Sequence, residues 1–185
     1  MTVTVGDDGI GRCPWGDGPG MREYHDSEWG REVRSDHLLY ERMTLEAFQS
    51  GLSWAIVLRK RERFREVFAR FDPEVVAGFG DAETAALLTD PGIIRNRLKI
   101  EAAITNARVI MRLEESLTDL LWSFAPEAAP APTSYEHVAA VTAESTAMAK
   151  ELKRRGFRFV GPTTAYALMQ ATGMVNDHLE GCAAR

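Results

Sequence analysis

Two cysteines and two histidines are the residues of this chain best suited to hold a metal ion. Cys13 and His25 lie near one end, in "RCPW" and "YHDSEWG", and His178 and Cys182 lie near the other, in "VNDHLEGC". A thiolate and an imidazole four residues apart can face one ion from a single helical turn, and two Cys with two His form the closed tetrahedral set of a structural zinc site. The spacing is not that of a zinc finger, so small buried cysteines and surface histidines remain the alternative.

An acidic residue in an apolar helix lies close to several aromatic residues. Glu46 is part of the mostly apolar "LEAFQSGLSW", and Trp54 follows it across a glycine turn. Burying an unpaired carboxylate is costly, so Glu46 needs an internal arginine or lysine, or else a ligand that is cationic or rich in hydrogen-bond donors. Each aromatic residue alone is more typical of a core. Taken with Trp15, Tyr24 and Trp29, however, the set favours an aromatic pocket for a flat, electron-poor heterocycle.

The stretch "RRGFRFVG" has the features of a helical hairpin that binds phosphate. Gly156 can adopt the positive φ that ends a helix, and Gly161 lets another backbone approach closely. Pro162 suits the first turn of the next helix, whose free N–H groups attract anions. We expect Phe157, together with Val160 or Phe159, to anchor the hairpin in the core and Arg158 to lie beside the phosphate. An ordinary helical hairpin with a solvated basic face fits the local pattern equally well.

Helical periodicity predicts the elements that position these residues. Helices are expected over 36–51 and from 54 to about 71, the second with Ser53 as its N-cap. A long amphipathic helix is expected over 93–116, and no strand pattern is present. The proline-containing segment 125–134 is the only linker-like stretch. Shorter helices are expected at 72–79, 81–88, 118–124, 144–155 and 162–173.

Composition indicates the class of protein. The chain has 185 residues, of which 45% are hydrophobic, which is enough for a buried core. No apolar run reaches the length of a membrane span and the first residues lack the features of a signal peptide, so we expect a cytoplasmic protein. A net charge of −5 argues against indiscriminate adhesion to polyanions, but a local basic patch would still allow DNA binding. The basic run at 59–65 is interleaved with glutamates and is typical of a charged helix surface.

These segments together resemble the 3-methyladenine DNA glycosylase I family, within the helix-hairpin-helix glycosylase superfamily. The resemblance extends over roughly residues 11–182, and the matching segments occur in order. They are "RCPW", "YHDSEWG", "LEAFQSGLSWAIVLRKRE", "DPGIIRNRLKI", "LWSF", "LKRRGFRFVGPTTAYALMQATGMVNDH" and the final "GC".

The resemblance implies an all-α, two-lobed helix-hairpin-helix fold, in which a zinc ion on the four Cys and His residues joins the two ends of the chain. We expect one domain over residues 1–185, with 1–10 as a loose extension, acting as a monomer without membrane association. The implied activity is excision of N3-methyladenine from alkylated double-stranded DNA, which releases free 3-methyladenine and leaves an abasic site without strand cleavage. By this resemblance Glu46 is expected to be catalytic and to bind the base together with Tyr24 and Trp54. Leu52 is the candidate for the wedge that enters the DNA stack. The hairpin residues expected to bind DNA are Gly156, Arg158, Phe159 and Gly161.

Some positions qualify the resemblance. Met21 replaces an aromatic residue that the family often has three residues before the pocket tyrosine, and Ala47 replaces a frequent glycine after Glu46. The superfamily usually has a catalytic aspartate near the position of Asp177, but we expect Asp177 to orient the neighbouring His178 or its turn. A zinc-stapled helical protein that binds damaged DNA without catalysis is the alternative function, although backbone binding alone would not need an inward acid at Glu46.

Overall fold

The computed structural model describes residues 1–185 and consists almost entirely of helices. A two-residue antiparallel pair, β1 (Thr4–Val5) with β2 (Gly11–Arg12), is the only sheet. The α-helices are α1 (Arg22–Ser27), α2 (Asp36–Gln49), α3 (Trp54–Val67), α4 (Pro73–Ala77), α5 (Asp81–Thr89), α6 (Arg97–Ile110), α7 (Leu117–Trp122), α8 (Ala143–Arg155) and α9 (Pro162–Ala171). Short 3-10 turns lie at Ala69–Phe71 and Tyr135–His137.

Side-chain caps decide where several helices begin. Asn96 accepts a hydrogen bond from the backbone N–H of Lys99 at the start of α6, and Ser116 accepts one from Asp119 at the start of α7. Each cap satisfies a backbone donor that the first helical turn leaves free. The helix predicted over 93–116 is therefore shorter than expected, because its first residues precede the Asn96 cap and its last lie beyond Ile110.

The helix predicted to run to residue 71 also ends early. Regular α3 stops at Val67, and the next three residues after Phe68 all have positive φ, from 49° to 58°. The left-handed region is unfavourable for residues other than glycine, so the surrounding packing must hold this turn. Phe71, which closes the turn, is fully buried and stacks on Phe68 at 5.7 Å, and this contact anchors the segment.

The main core forms around α2, which packs against α3, α6, α7 and α9. Phe48 from α2 meets Phe64 from α3 at 4.7 Å between ring centroids, and both are fully buried. Burial of each such ring contributes about 1.5–3 kcal/mol. Because α2 carries Glu46, the same packing that stabilises the protein also holds the acidic side chain in place.

The two ends of the chain meet in a second lobe beside the α8 and α9 pair. Cys13 packs with Leu179, Cys182 and Ala184 in a small apolar cluster of its own. The first ten residues are tied to this lobe, since β1 pairs with β2 and the amino group of Met1 binds Glu136. The architecture is thus the predicted all-α, two-lobed one, with a small strand pair and the helix α1 that the sequence reading did not include. None of its helices combines the length and the apolar character that crossing a bilayer requires.

Candidate functional site

A cavity of about 420 Å³ lies where α1, α2, α3 and α9 meet. The predicted acid Glu46 lines it together with the predicted aromatic residues Tyr24 and Trp54. The structure therefore brings together three residues that lie in three different helices. The rest of the wall includes Trp15, Met21, Trp29, Gln49, Ser53, Tyr135, Val138 and Gln170.

Glu46 is an unpaired acid at the base of this wall. Its side chain is 6% exposed and no protein group donates a hydrogen bond to it. Burial raises the pKa of Glu46 to about 8, and the charge of Arg42 counteracts the rise only in part. Arg42 instead forms an ion pair with Glu28 at 2.6 Å. The internal partner considered for Glu46 is thus absent, and the carboxyl is free to bind a ligand.

The aromatic residues make a wall of tilted and perpendicular rings. Tyr24 and Trp54 lie 5.3 Å apart between centroids at 48°, and Trp15 and Trp29 lie 4.9 Å apart at 84°. Trp54 Nε1 is buried without a hydrogen-bond partner, so the wall contains an unused donor. Burial, followed by the charge of Glu46, raises the pKa of Tyr24 well above its usual value. A flat ring entering this cavity would meet several π faces and one acid.

The turn between α2 and α3 forms part of the cavity rim. Leu52 is 37% exposed and lies between the lining residues Gln49 and Ser53. The nearly buried Lys99 holds the turn from beneath, because its Nζ donates to the backbone oxygens of Phe48 at 2.9 Å and Ser50 at 2.7 Å. These bonds satisfy carbonyl groups that the end of α2 leaves free. Sequence reasoning missed Lys99, whose burial follows only from the packing of α6 on α2.

The four predicted metal ligands lie together and are all buried. Their ligand atoms fall within 4.8 Å of one another. Three of the separations are 3.4 Å (Cys182 Sγ to His178 Nδ1), 3.6 Å (Cys182 Sγ to His25 Nε2) and 3.7 Å (Cys13 Sγ to His178 Nδ1). A tetrahedral zinc ion with ordinary Zn–S and Zn–N bonds would place sulfur and nitrogen about 3.5 Å apart. The cluster can therefore hold such an ion with little adjustment.

Hydrogen bonds from outside the cluster orient both imidazoles toward it. His25 Nδ1 lies 2.7 Å from Asp26, which Arg12 in turn holds, and His178 Nε2 lies 3.0 Å from the backbone oxygen of Trp29. The other ring nitrogen of each histidine is thus left as an acceptor for a cation. Burial raises the pKa of the Cys13 thiol to about 12, so a thiolate there needs a cation. Asp26 was not singled out from the sequence, although it directly follows His25.

The backbone around His178 and Cys182 differs from the predicted helical turn. Residues 174–185 contain no helix. Instead the N–H of Cys182 donates to the oxygen of Leu179, and this turn brings the two ligands together. The spacing of four residues produced the expected proximity through a different backbone conformation, because α9 already ends at Ala171.

The predicted hairpin joins α8 to α9. Gly156 has φ of 99°, as expected for a helix-ending glycine. Gly161 has an ordinary φ of −78°, and a methyl group added there would meet nothing within 4 Å. The fold itself therefore does not require glycine at 161, and the open space above it is available to another molecule. Phe157 and Val160 are buried and anchor the hairpin, as one of the two expected pairings has it, whereas Phe159 is 40% exposed at the tip.

Asn106 fixes the shape of this hairpin. Its side chain donates to the backbone oxygen of Arg158 at 3.1 Å and accepts from the backbone N–H of Arg158 at 2.8 Å. The amide thus pairs with both backbone groups of one residue, as a neighbouring β-strand does. Asn106 therefore supports the hairpin from α6. No local pattern in the sequence pointed to it.

The charges around the hairpin divide into paired and unpaired groups. Arg154 and Arg155 both bind Glu151, whereas Lys153 and Arg158 are exposed and form no ion pair. Most of the second basic run, at 59–65, is engaged within the protein. Its ion pairs are Arg61 with Glu28, Arg63 with Asp90 and Glu66, and Arg65 with Glu41 and Glu62.

Asp177 makes no hydrogen bond to His178, so of the two predicted roles, orienting His178 or its turn, the first is wrong. Its Oδ2 accepts hydrogen bonds from Tyr166 at 2.6 Å and from Gln170 at 2.8 Å, both in α9. The backbone N–H of His178 is instead bound by the side chain of Asn176. Because the chain turns sharply here, adjacent residues face different neighbours.

Comparison with known proteins identifies relatives of the whole chain. The family model for methyladenine glycosylase matches residues 15–185. The DNA-3-methyladenine glycosylase 1 of Escherichia coli is 44% identical over 178 residues, which cover 92% of this chain and 95% of that protein.

Solved structures give the same result. A crystal structure of 3-methyladenine DNA glycosylase I superposes with a TM-score of 0.90 at 43% identity, covering 94% of this chain and 99% of that one. Another structure of such an enzyme, a variant in complex with 3-methyladenine, superposes with a TM-score of 0.87 at 30% identity and covers 94% of this chain and 96% of that one.

Proposed function

Because the chain belongs to the methyladenine glycosylase family, we propose that it is a DNA repair enzyme that excises N3-methyladenine from alkylated DNA. The reaction is hydrolysis of the N-glycosidic bond, which leaves an abasic site and does not cut the strand. The observation that carries the proposal is the buried, unpaired Glu46 in an aromatic cavity large enough for a purine.

The chemistry of the substrate suits this cavity. Methylation at N3 gives the adenine a positive charge while it is attached to deoxyribose, so the base is already a good leaving group. Tyr24 and Trp54 stack on the cationic ring, and the charge attracts their π faces. Glu46 accepts hydrogen bonds from the donor edge of the base, and a positive ligand favours its ionised form. Catalysis therefore depends on binding the charged base after it has left the DNA duplex, and it needs no strong acid.

Access to the base requires that the nucleotide leave the duplex. Alkylation weakens the base pair, so flipping the damaged nucleotide out costs less free energy than flipping a normal one. This difference is one source of selectivity for the lesion. Leu52 is exposed at the cavity rim and acts as the wedge that fills the gap in the base stack. The unpaired Arg158 and the open backbone at Gly161 suit close approach of a phosphate at the hairpin, independent of sequence. Gly156 supplies the turn and Phe159 the exposed tip.

The Cys and His cluster is proposed to hold one zinc ion with a structural role. The four donors supply the full tetrahedral set, which leaves no position for a substrate or water, and the cluster is separate from Glu46. Zinc bound there ties residues near both ends of the chain together, so its binding free energy adds to folding stability. We also propose that the chain acts in the cytoplasm as a monomer of one domain on double-stranded DNA.

Release of bases from methylated DNA tests the function directly. We expect incubation with dimethyl-sulfate-treated duplex DNA to release 3-methyladenine, identified by chromatography, while strands break only after alkali treatment of the abasic sites. The E46Q variant keeps the size of the side chain and should lose most base release and most affinity for free 3-methyladenine. Binding of methylated DNA without any base release would instead support a damage-binding protein. Unchanged affinity of E46Q for free 3-methyladenine would show that Glu46 does not bind the base.

A further inference from the structure

One polar side chain of the cavity wall, that of Gln170, has its orientation set from outside the cavity. Gln170 lies on α9 and lines the cavity one turn after Ala167, which also lines it. Its Nε2 donates to Asp177 Oδ2 at 2.8 Å. Asp177 itself is not part of the wall, and Tyr166, which donates to the same oxygen at 2.6 Å, is not either.

This bond determines which end of the Gln170 amide is free. A glutamine side chain can present either a donor or an acceptor, whereas the Asp177 oxygen accepts both of its hydrogen bonds. The Nε2 end of Gln170 is therefore held at Asp177. Its Oε1 accepts no hydrogen bond from the protein, so it remains as an acceptor for a ligand in the cavity.

Glu46 differs from Gln170 because its carboxyl can take up a proton. Burial raises its pKa to about 8, so its carboxyl can be protonated near neutral pH. A protonated carboxyl can donate a hydrogen bond whereas an ionised one only accepts, so Glu46 is an acceptor only while the charge of the bound base keeps it ionised. The amide of Gln170 lacks this freedom while Asp177 holds it.

We infer that Gln170, held by Asp177, is a specificity-determining residue that selects a purine with an amino group over one with a carbonyl group at the same edge. This inference rests on the proposed function. Adenine presents an amino donor at its six position, and guanine presents a carbonyl oxygen there. A fixed acceptor binds the first and repels the second, because facing acceptors leave both groups without hydrogen bonds in a buried site. Asp177 is accordingly a positioning residue that acts through Gln170.

The test is a competition between two lesions in one reaction. Methylated alternating A·T polymer and methylated alternating G·C polymer are mixed, and the released 3-methyladenine and 3-methylguanine are measured together by chromatography. The ratio of the two initial rates does not depend on how much of a variant is folded. We expect the ratio of adenine to guanine release to fall about tenfold in Q170L, as for loss of one buried hydrogen bond. A smaller fall of about threefold is expected in D177N, whose amide can turn toward Gln170 either way.

Y166F is the matched control for the hydrogen-bond network. It removes the other donor to Asp177 Oδ2 but leaves Gln170 its anchor, so its ratio should stay within about twofold of the parent value. Unchanged ratios in Q170L and D177N, with both rates reduced equally, would overturn the inference by showing only a structural role. A shift in Y166F as large as that in D177N would overturn it too. If the parent protein releases neither base, the proposed function itself fails, and this result is distinct from an unchanged ratio.

Discussion

Glu46 should make the stability of this protein depend on pH in a direction opposite to that of most carboxylates. The group is buried and unpaired, and its pKa is raised from the ordinary 4.5 to about 8. Between these pH values the folded protein holds a proton that the unfolded chain has released. Folding stability therefore falls as the pH rises from 4.5 to 8. Below pH 4.5 Glu46 is protonated in both states and does not lower the stability.

The magnitude follows from the two pKa values. Each pH unit between them removes about 1.4 kcal/mol of stability. The penalty attributable to Glu46 is about 3 kcal/mol at pH 7 and approaches about 5 kcal/mol above pH 8. These are upper values, since water that enters the cavity reduces the cost of the charge. The E46Q variant has the same shape and no titratable group, so it should escape the penalty.

Urea denaturation of the parent and E46Q at several pH values from 5 to 9 isolates this effect. Other groups titrate equally in both proteins, so the difference in unfolding free energy belongs to position 46. We expect E46Q to gain stability relative to the parent with rising pH, by at least about 2 kcal/mol over this range. A difference that stays constant with pH would refute the reasoning, because Glu46 would then have an ordinary pKa in the folded protein.

Further expected outcomes concern the metal centre, the hairpin and the turn at the cavity rim. Protein purified without added metal should contain about one zinc per chain, and C182S should lose it and melt at a lower temperature while H137A, at an exposed histidine, keeps it. If C182S retains zinc, or if zinc-free protein is fully stable, the proposed structural role is wrong. The G161V variant should bind duplex DNA of any sequence more weakly yet keep its melting temperature within a few degrees and its affinity for free 3-methyladenine, since nothing in the fold occupies that space. Equal loss of both affinities would indicate misfolding instead. The K99M variant leaves the carbonyl groups of Phe48 and Ser50 unpaired and should lose about 1–3 kcal/mol of stability, measured by denaturation. It should also reduce base release from DNA more than binding of the free base, and an equal effect on both would argue against a role for the turn in opening DNA.

The sequence alone determined the type of fold and the inventory of the sites. Periodic apolar residues predicted most of the helices, and Gly156 marked the end of α8. The types of the four metal-binding candidates and of the acid and aromatic residues predicted which chemistry each set supports. These properties are local, because helix propensity, capping and side-chain chemistry depend on a residue and its near neighbours.

Only the tertiary structure decided how the members of each set meet. Glu46, Tyr24 and Trp54 share a cavity because α1, α2 and α3 pack together, and no spacing along the chain specifies that contact. The lack of an ion pair at Glu46 is likewise a tertiary result, since Arg42 lies one turn away on α2 but pairs with Glu28.

The supporting residues were beyond the reach of sequence reasoning for the same reason. Lys99 and Asn106 lie on α6 and act on the distant turn and hairpin, and Asp177 binds α9 rather than its neighbour His178. Each forms hydrogen bonds with groups that are distant in the sequence, or that a sharp turn of the chain brings close. Such partners become neighbours only after the core has packed, because burial forces every polar group to find a partner wherever the fold provides one.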